Sequence, residues 1–235
     1  MSEHIVNWSY SKLIDFEKCK LLAKIKHLDK IPEPERPLRP GQTEHANDRG
    51  TRIHDSAERF VNGSGPFIPE IGKFHTEFEH MRHLYAAGKV SLEGEWGIDR
   101  DWEVAPWKTA WQRGKLDALV HASPTEAVVI DYKSGKRFGN EVKHAEQVNL
   151  YGLLTFLRFP ELETVHVELW YLDIDELTCR TFDRDQALRF KQSFNRRGLA
   201  LTECSTWPAN PNKFSCQWCP YGPDGTGHCT VGVRK

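Results

Sequence analysis

The sequence lacks any long apolar run and carries almost no net charge. A membrane-spanning helix needs about 20 consecutive apolar residues, and no segment of this chain offers them. Residues 1–4 also lack the basic-then-apolar pattern of a signal peptide. We therefore expect a cytoplasmic protein without membrane contacts. The formal net charge of −1 excludes a generally basic surface, so any nucleic-acid binding must use a local groove.

Internal repeats and low-complexity segments are absent as well, and residues 31–40, with four prolines, form a clear loop. A chain of 235 residues is long enough for one well-buried core, so residues 1–235 are expected to form one domain. Its six cysteines favour metal ligands or buried thiols over disulfides in a reducing compartment.

Hydrophobic periodicity predicts a series of helices and strands. The helices are expected at about 9–28, 49–61, 73–87, 143–159 and 184–201, and the strands at 90–98, 102–107, 113–120, 126–133, 165–172 and 178–182. The residues expected to be buried by the first helix are Ile14, Leu21, Ile25 and Leu28. Short turns join the first four strands, which implies an antiparallel meander. The helix and strand that follow suggest a right-handed crossover onto the same sheet.

One strand of this meander ends in charged residues. Residues 128–136, Val-Val-Ile-Asp-Tyr-Lys-Ser-Gly-Lys, begin as a buried strand and end at a Ser-Gly turn. Asp131 and Lys133 point to the same side of the strand, while Tyr132 points to the other. Two solvated charges at a strand end are one interpretation. The other is a site where a metal ion or a phosphate compensates their desolvation.

The preceding strand favours the second interpretation. Residues 114–120 carry one acid, Asp117, within an apolar alternation, and a turn containing Pro124 joins the two strands. A hairpin would therefore bring Asp117 beside Asp131 and Lys133.

Two helices carry polar pairs one turn apart. His54 and Glu58 lie beside the apolar stripe of helix 49–61, and they form either a surface pair or part of a metal site. Gln147 and Tyr151 either face the strand ends or line a half-exposed helix edge.

The C-terminal segment has a cysteine pattern typical of a metal centre. Cys216 and Cys219 are separated by two residues, so both thiolates can reach one centre, and Cys229 adds a third. Cys19 is the preferred fourth ligand, which would tie the first helix to the C-terminal segment and close a long loop. The local competitors for this position are Cys204, which would make the tail a separate zinc module, and His228.

Four segments, in this order, resemble the motifs of the RecB-type branch of the PD-(D/E)XK nuclease superfamily. They are Gly50–His54 (Gly-Thr-Arg-Ile-His), Gly114–Asp117 (Gly-Lys-Leu-Asp), Ile130–Gly135 (Ile-Asp-Tyr-Lys-Ser-Gly) and Gln147–Tyr151 (Gln-Val-Asn-Leu-Tyr). The start Ser9–Leu13 and the cysteines are similar to the iron–sulphur members of that branch, which include the AddB nuclease domain and CRISPR-associated adaptation nucleases. Any one motif is weak, whereas the ordered set is specific.

The resemblance implies an α/β (α+β) fold with a restriction-endonuclease-like core. A mixed central sheet would be flanked by helices, and a metal cluster would join the N- and C-terminal segments. The implied ligands of Mg²⁺ or Mn²⁺ are His54, Asp117, Asp131 and the Tyr132 carbonyl. Lys133 would orient the attacking water, and Gln147 would position Lys133 or the substrate. Glu95 is a candidate for an additional acid.

The same resemblance implies a 4Fe–4S cluster, with Zn²⁺ as the alternative occupant. Its ligands would be Cys19, Cys216, Cys219 and Cys229, in a subregion formed by residues 9–28 and 204–229. The residues expected to contact DNA are Tyr151, Lys136, Arg196 and Arg197. For the two arginines, a solvated helix face is the plainer interpretation. Trp111 and Trp218 are the aromatic candidates for DNA contact.

The function expected from these features is a metal-dependent DNA nuclease. It would be an exonuclease that acts on single-stranded DNA or DNA ends by two-metal hydrolysis. Partners would be DNA and a helicase, recombinase or CRISPR adaptation protein, because the chain has no Gly-x4-Gly-Lys-Ser/Thr motif. The alternatives are a weakly active or inactive DNA- or partner-binding module with a zinc or iron–sulphur centre, and a zinc-ribbon interaction protein.

Overall fold

The computed structural model of the chain describes residues 4–35, 38, 41–135 and 137–233. One sheet has its strands in the order β2-β1-β3-β4-β5-β6. The strands are β1 (Val90–Ile98), β2 (Val104–Ala105), β3 (Gln112–Ser123), β4 (Glu126–Lys133), β5 (Thr164–Tyr171) and β6 (Glu176–Asp183). The α-helices are α1 (Tyr10–Lys18), α2 (Lys20–Ala23), α3 (Ala46–Val61), α4 (His75–Ala86), α5 (Glu141–Arg158), α6 (Arg184–Leu188), α7 (Lys191–Thr202) and α8 (Lys213–Cys216).

The strands pair as the sequence predicts, except for the strand predicted at 102–107. The predicted four-strand meander is wrong there, because this strand lies at the edge of the sheet beside β1 and not between β1 and β3. β1, β3 and β4 form an antiparallel meander, and β2 adds an antiparallel edge to β1. After α5, β5 returns parallel to β4, and β6 pairs antiparallel with β5. The result is a mixed sheet flanked by helices, which confirms the predicted fold class. None of the described helices has the length and apolar character that crossing a bilayer requires.

The first helical segment differs from the prediction. Ser9 caps α1 by accepting a hydrogen bond from the Lys12 N–H at 3.4 Å. The helix ends at Lys18, because Cys19 is extended, with φ −164° and ψ 117°. One continuous helix to Leu28 is therefore wrong, and α2 and a π-helical turn follow instead. The buried residues of this segment are Leu13, Phe16, Leu22, Ala23 and Ile25, whereas Ile14, Leu21 and Leu28 are only partly buried.

Three other predicted boundaries are wrong for local backbone reasons. The strand predicted at 102–107 shortens to β2, because Trp102 takes a left-handed conformation with φ +69°. The helix predicted at 73–87 begins as a 3₁₀ turn over Pro69–Phe74. The helix predicted at 184–201 is divided into α6 and α7, since α6 ends at Leu188 and α7 starts at Lys191.

The sheet separates two hydrophobic cores. On one side, here called the α5 face, Leu154 and Phe156 of α5 pack with Val129 of β4. On the other, the α3 face, the apolar stripe of α3 and residues of α4 pack against β3, β4 and β5. That stripe is buried as predicted and consists of Ile53, Ala57, Phe60 and Val61. Each large apolar side chain buried in this way contributes about 1.5–3 kcal/mol to the stability of the fold. This packing holds α3 and α5 on opposite sides of the sheet, next to the ends of β3 and β4.

Candidate active site

The β3–β4 hairpin forms as predicted and brings its two acids together. Ala118 pairs with Ile130, so Asp117 lies opposite Asp131. The Tyr132 N–H donates a hydrogen bond of 2.6 Å to Asp117 Oδ2, which fixes the Asp117 carboxylate against β4. Both acids are buried, with 8% of Asp117 and 5% of Asp131 exposed. Two neighbouring carboxylates at this depth require compensating positive charge.

Asp131 belongs to a closed ring of polar side chains that joins β4 to α5. Lys133 Nζ forms an ion pair with Asp131 Oδ2 and donates to Gln147 Oε1 at 2.9 Å. Gln147 Nε2 donates to the Tyr151 hydroxyl at 2.7 Å, and that hydroxyl donates to Asp131 Oδ1 at 2.9 Å. Gln147 and Tyr151 therefore face the strand ends. Tyr151 is buried, and its hydroxyl holds Asp131 in place.

His54 approaches the site from α3. Its Nδ1 lies 2.9 Å from Asp117 Oδ1, and its ring packs edge-on against Tyr132. Burial disfavours the charged imidazole, but the Asp117 carboxylate more than offsets this and raises the pKa of His54. Burial, together with the charge of Asp131, raises the pKa of Asp117.

Gly50 explains how α3 comes close enough to place His54. A Cβ at this position would lie 3.2 Å from Ser134 Oγ, so a larger side chain would press against the end of β4. Arg49 secures the same approach by donating to the Ser134 carbonyl at 3.2 Å and pairing with Asp173.

The acid that could share a metal ion with His54 and Asp117 is Glu93, not Glu95. Single ligand atoms of His54, Glu93 and Asp117 all lie within 4.8 Å of one another. Glu95 is exposed and pairs in register with Lys115. Sequence reasoning missed Glu93 because its placement depends on the β1–β3 register, which the strand pattern alone does not fix.

A groove rich in cations opens beside this site. It runs between the start of α1, β3 and the start of α5, and it includes Lys133, Gln147 and Tyr151. The positively charged residues in its wall are Lys12, Lys26, Arg113, Lys115, Lys133 and Lys143, against a single carboxylate, Asp15. Asp15 is itself paired with Lys26 and His27.

Three of these cations have no carboxylate partner within the described part of the chain. Lys12 Nζ donates to the neutral Asn7 Oδ1 at 2.6 Å, and burial together with the charge of Arg113 lowers the pKa of Lys12. The Arg113 guanidinium stacks over Trp107, with its central carbon 5.3 Å from the ring centroid. Lys143 forms no ion pair with a described residue. The groove is therefore suited to an extended anion.

The other described residues that were expected to contact DNA do not line this groove. Arg197 pairs with Glu17 and Glu146 and so ties α7 to α1 and α5. Arg196 is exposed, and Lys136 lies outside the described residues. Trp111 is buried and donates to Thr202 Oγ1. Trp218 is 56% exposed but does not line the groove. The tryptophan that does is Trp107.

Four cysteines meet in a second pocket. It lies between α2 and the C-terminal segment, and the cysteines in its wall are Cys19, Cys216, Cys219 and Cys229. Burial raises the pKa of the Cys219 thiol, and the other three cysteines add to this. Neither competitor for the fourth position lines this pocket. Cys204 Sγ donates to the Thr206 carbonyl at 2.9 Å, and His228 Nδ1 contacts Thr226 Oγ1 at 2.7 Å.

The chain was compared with known proteins and solved structures. No curated protein matches the chain. Among solved structures, a putative exonuclease from Eubacterium rectale is 12% identical, with 98% of this chain and 91% of that chain covered and a TM-score of 0.47. An alkaline exonuclease from Laribacter hongkongensis is 13% identical, with 85% of this chain and 89% of that chain covered and a TM-score of 0.33. The family model of the PD-(D/E)XK nuclease superfamily matches residues 7–223, and the chain therefore belongs to that superfamily.

Proposed function

We propose that this protein is a divalent-metal-dependent DNA nuclease that acts as an exonuclease on single-stranded DNA or DNA ends. One observation carries the proposal. Asp117, Asp131 and Lys133 meet at one end of the β3–β4 hairpin, beside His54 and at the edge of the cation-rich groove. The buried acids supply a metal site, and the groove supplies a path for a polyanion.

The side chains present fit a hard divalent cation. Asp117 and Asp131 offer carboxylate oxygens, which Mg²⁺ and Mn²⁺ prefer, and His54 adds a nitrogen that favours Mn²⁺. The Tyr132 carbonyl is proposed as a further oxygen ligand. Bound there, one or two such ions would supply a water of lowered pKa and neutralise charge on the phosphate.

Lys133 is proposed to act directly on the reacting groups. Its ammonium is held by Asp131 and Gln147, so it can orient the attacking water and stabilise the negative charge that develops on the phosphate. Gln147 and Tyr151 act as positioning residues, because each reaches Lys133 or Asp131 through a hydrogen bond.

A single strand of DNA is the substrate that best suits the groove. Lys12, Arg113 and Lys143 have no carboxylate partner among the described residues, and such charges bind phosphates. The partly exposed ring of Trp107 provides a surface on which a base can stack.

We further propose that the cysteine pocket holds a 4Fe–4S cluster, as in the RecB-like branch. The support for this is that Cys19, Cys216, Cys219 and Cys229 line one pocket, which is the number of thiolates that holds such a cluster. Residues 1–235 would then form one nuclease domain, with 9–28 and 204–229 as its cluster-binding subregion.

Degradation of end-labelled DNA tests the proposed function. Single- and double-stranded oligonucleotides would be incubated with Mg²⁺, Mn²⁺ or a chelator, using the wild type, Asp117→Asn and the exposed-site control Glu95→Gln. We expect metal-dependent degradation from a strand end by the wild type and by Glu95→Gln, and none by Asp117→Asn. A folded wild type that binds DNA but cleaves neither form would identify a binding module instead. Cutting of circular single strands would replace the exonuclease assignment with an endonuclease.

A further inference from the structure

Glu93 lies directly opposite Asp117 in the sheet. The β1–β3 pairs on either side are Leu92 with Ala118 and Gly94 with Leu116, so the register places the two acids across from each other. Opposite residues of antiparallel strands have Cβ atoms only about 4.5–5.5 Å apart. The ligand atoms of Glu93 and Asp117, together with one from His54, lie within 4.8 Å of one another.

The backbone at Glu93 is unusual for the middle of a strand. Its φ is +48°, in the left-handed region that a residue with a Cβ rarely adopts. Gly94, the next residue, could take this conformation without strain, yet it is not among the residues with positive φ. Backbone strain in proteins concentrates at functional sites, and here the strained residue is one that carries a carboxylate.

The strain accompanies a change of face in both strands. Leu92 packs on the α3 face, whereas Trp96 packs on the α5 face. Alternate residues of a regular strand share one face, so β1 must rotate between these two residues, and Glu93 lies there. On β3, Leu116 packs on the α5 face and Ala118 on the α3 face, with Asp117 between them. Both acids therefore occupy the irregular point of their strand.

The negative charge of Glu93 is only partly compensated by its neighbours, so a cation could bind there. Its partner within the described residues is Lys115, whose Nζ lies 2.5 Å from Glu93 Oε2. The Lys115 side chain is 60% exposed, whereas that of Glu93 is 19% exposed. A well-solvated ammonium compensates a carboxylate only weakly, and the neighbouring carboxylate of Asp117 is buried.

We propose that Glu93 is a direct ligand of the divalent cation that His54 and Asp117 would hold. This inference rests on the proposed function, since it concerns the same metal site, and it adds a carboxylate oxygen from β1 to the ligands implied by the family. A further carboxylate favours a hard cation such as Mn²⁺ or Mg²⁺.

Titration with Mn²⁺ tests the inference without any turnover. Free Mn²⁺ would be followed by electron paramagnetic resonance on the full chain, in the absence of DNA, for the wild type, Glu93→Gln and the matched control Glu95→Gln. We expect Glu93→Gln to weaken Mn²⁺ binding by more than the roughly 10- to 100-fold that removal of an indirect partner of a metal ligand causes. Glu95→Gln should bind as the wild type does. Equal affinity of Glu93→Gln and the wild type would overturn the assignment.

Two further variants separate ligation from indirect effects. Glu93→Gly suits the left-handed backbone, so it should raise the unfolding temperature and still lose Mn²⁺ affinity. Lys115→Gln removes the ammonium that Glu93→Gln would leave unpaired. If the loss caused by Glu93→Gln persists in the Lys115→Gln background, Glu93 is a ligand. If it disappears there, Glu93 acts only by neutralising Lys115, and the inference is wrong.

Failure of this inference and failure of the proposed function are distinguishable. A wild type that binds Mn²⁺ through Glu93 but cleaves no DNA would contradict the nuclease proposal alone. A wild type that cleaves DNA, while Glu93→Gln binds Mn²⁺ normally, would contradict the inference alone. A wild type that binds no Mn²⁺ would contradict both.

Discussion

At the scale of single residues, the site is organised by hydrogen bonds that leave each polar group little freedom. The Tyr151 hydroxyl is the most constrained, because it accepts from Gln147 and donates to Asp131 inside the core. The sequence motif Gln147–Tyr151 indicates that both side chains share one side of a helix. It does not indicate that the tyrosine is buried, because burial depends on how α5 packs on the sheet.

Tyr151→Phe tests the role of this hydroxyl. The change leaves Asp131 Oδ1 without a donor and the Gln147 amide without an acceptor, and an unsatisfied buried group costs about 1–3 kcal/mol. We expect a loss of that order in the free energy of unfolding, measured with urea, and a lower kcat with little change in KM for DNA. The matched control is Tyr85→Phe, which removes a hydroxyl from an exposed side chain of α4. If Tyr151→Phe kept the wild-type kcat, the hydroxyl would have no part in positioning Asp131.

At the scale of elements, the sequence predicts most helices and strands of the sheet but not the path around Cys19. β1 and β4 have the predicted bounds, because the turn-forming residues Gly88 and Pro124 precede them in the sequence. α1 stops at Lys18 although helical residues continue, since Cys19 becomes extended where the chain meets the C-terminal segment. That contact is far away in sequence, so no local pattern predicts it. The same applies to Glu93, whose placement depends on pairing with β3.

Asp15 stabilises the bend at Cys19 in a way that depends on pH. It lies in α1 and pairs with His27 at 2.9 Å and Lys26 at 3.4 Å, beyond the bend. Burial opposes the charged carboxylate, but these two partners more than offset it and lower the pKa of Asp15. Because its pKa is lower in the folded state, Asp15 stabilises the fold above its unfolded-state pKa of about 3.9. This stability is lost as the pH falls through the folded-state value.

Asp15→Asn should therefore destabilise the protein at pH 7 by about 1.5–3 kcal/mol, the range for hydrogen bonds to charged groups. Urea unfolding at pH 7 and at pH 3 measures the difference between variant and wild type. The difference should shrink at the lower pH. A constant difference at both pH values would show that the charge of Asp15 contributes nothing.

At the scale of the whole molecule, a chain with a net charge of −1 still forms a groove in which three cations have no carboxylate partner among the described residues. This is consistent with the expectation that nucleic-acid binding needs a local groove, and of the residues expected to contact DNA the groove contains Tyr151. Arg197 is used to hold three helices together, whereas Lys12 and Arg113 line the groove. Sequence patterns indicate which helix faces are basic, but the groove is assembled from α1, β3 and α5, which meet only in the folded chain.

Arg113→Gln tests the groove as the DNA-binding surface. Removing the charge that neutralises one phosphate of single-stranded DNA should reduce the slope of log K against log salt by about 0.7. We expect weaker binding and this reduced slope, measured by fluorescence anisotropy with a labelled oligonucleotide and an inactive Asp131→Asn background. Arg196→Gln, on the exposed side of α7, should leave both affinity and slope unchanged. The opposite pattern would move the DNA path to α7.

The cysteine pocket is the other feature that depends on the whole chain, because it joins residues near both ends. Cys19→Ser should lose the metal centre, with a lower iron content, loss of the brown colour and a lower unfolding temperature. Cys204→Ser should retain the centre, because Cys204 lies outside the pocket. Metal analysis and thermal unfolding of the two variants measure the metal content and the unfolding temperature. Loss of metal from Cys204→Ser, but not from Cys19→Ser, would indicate a separate zinc module instead.

The most direct measurement of the central claim is single-turnover hydrolysis of single-stranded DNA by Lys133→Gln. If Lys133 orients the water and stabilises the phosphate charge, the rate should fall by roughly 100- to 1000-fold, with DNA affinity little changed. Lys89→Gln, an exposed lysine just before β1, should hydrolyse DNA at the wild-type rate. Hydrolysis by Lys133→Gln at the wild-type rate would contradict the account, because the end of the β3–β4 hairpin would then not be the site of the reaction.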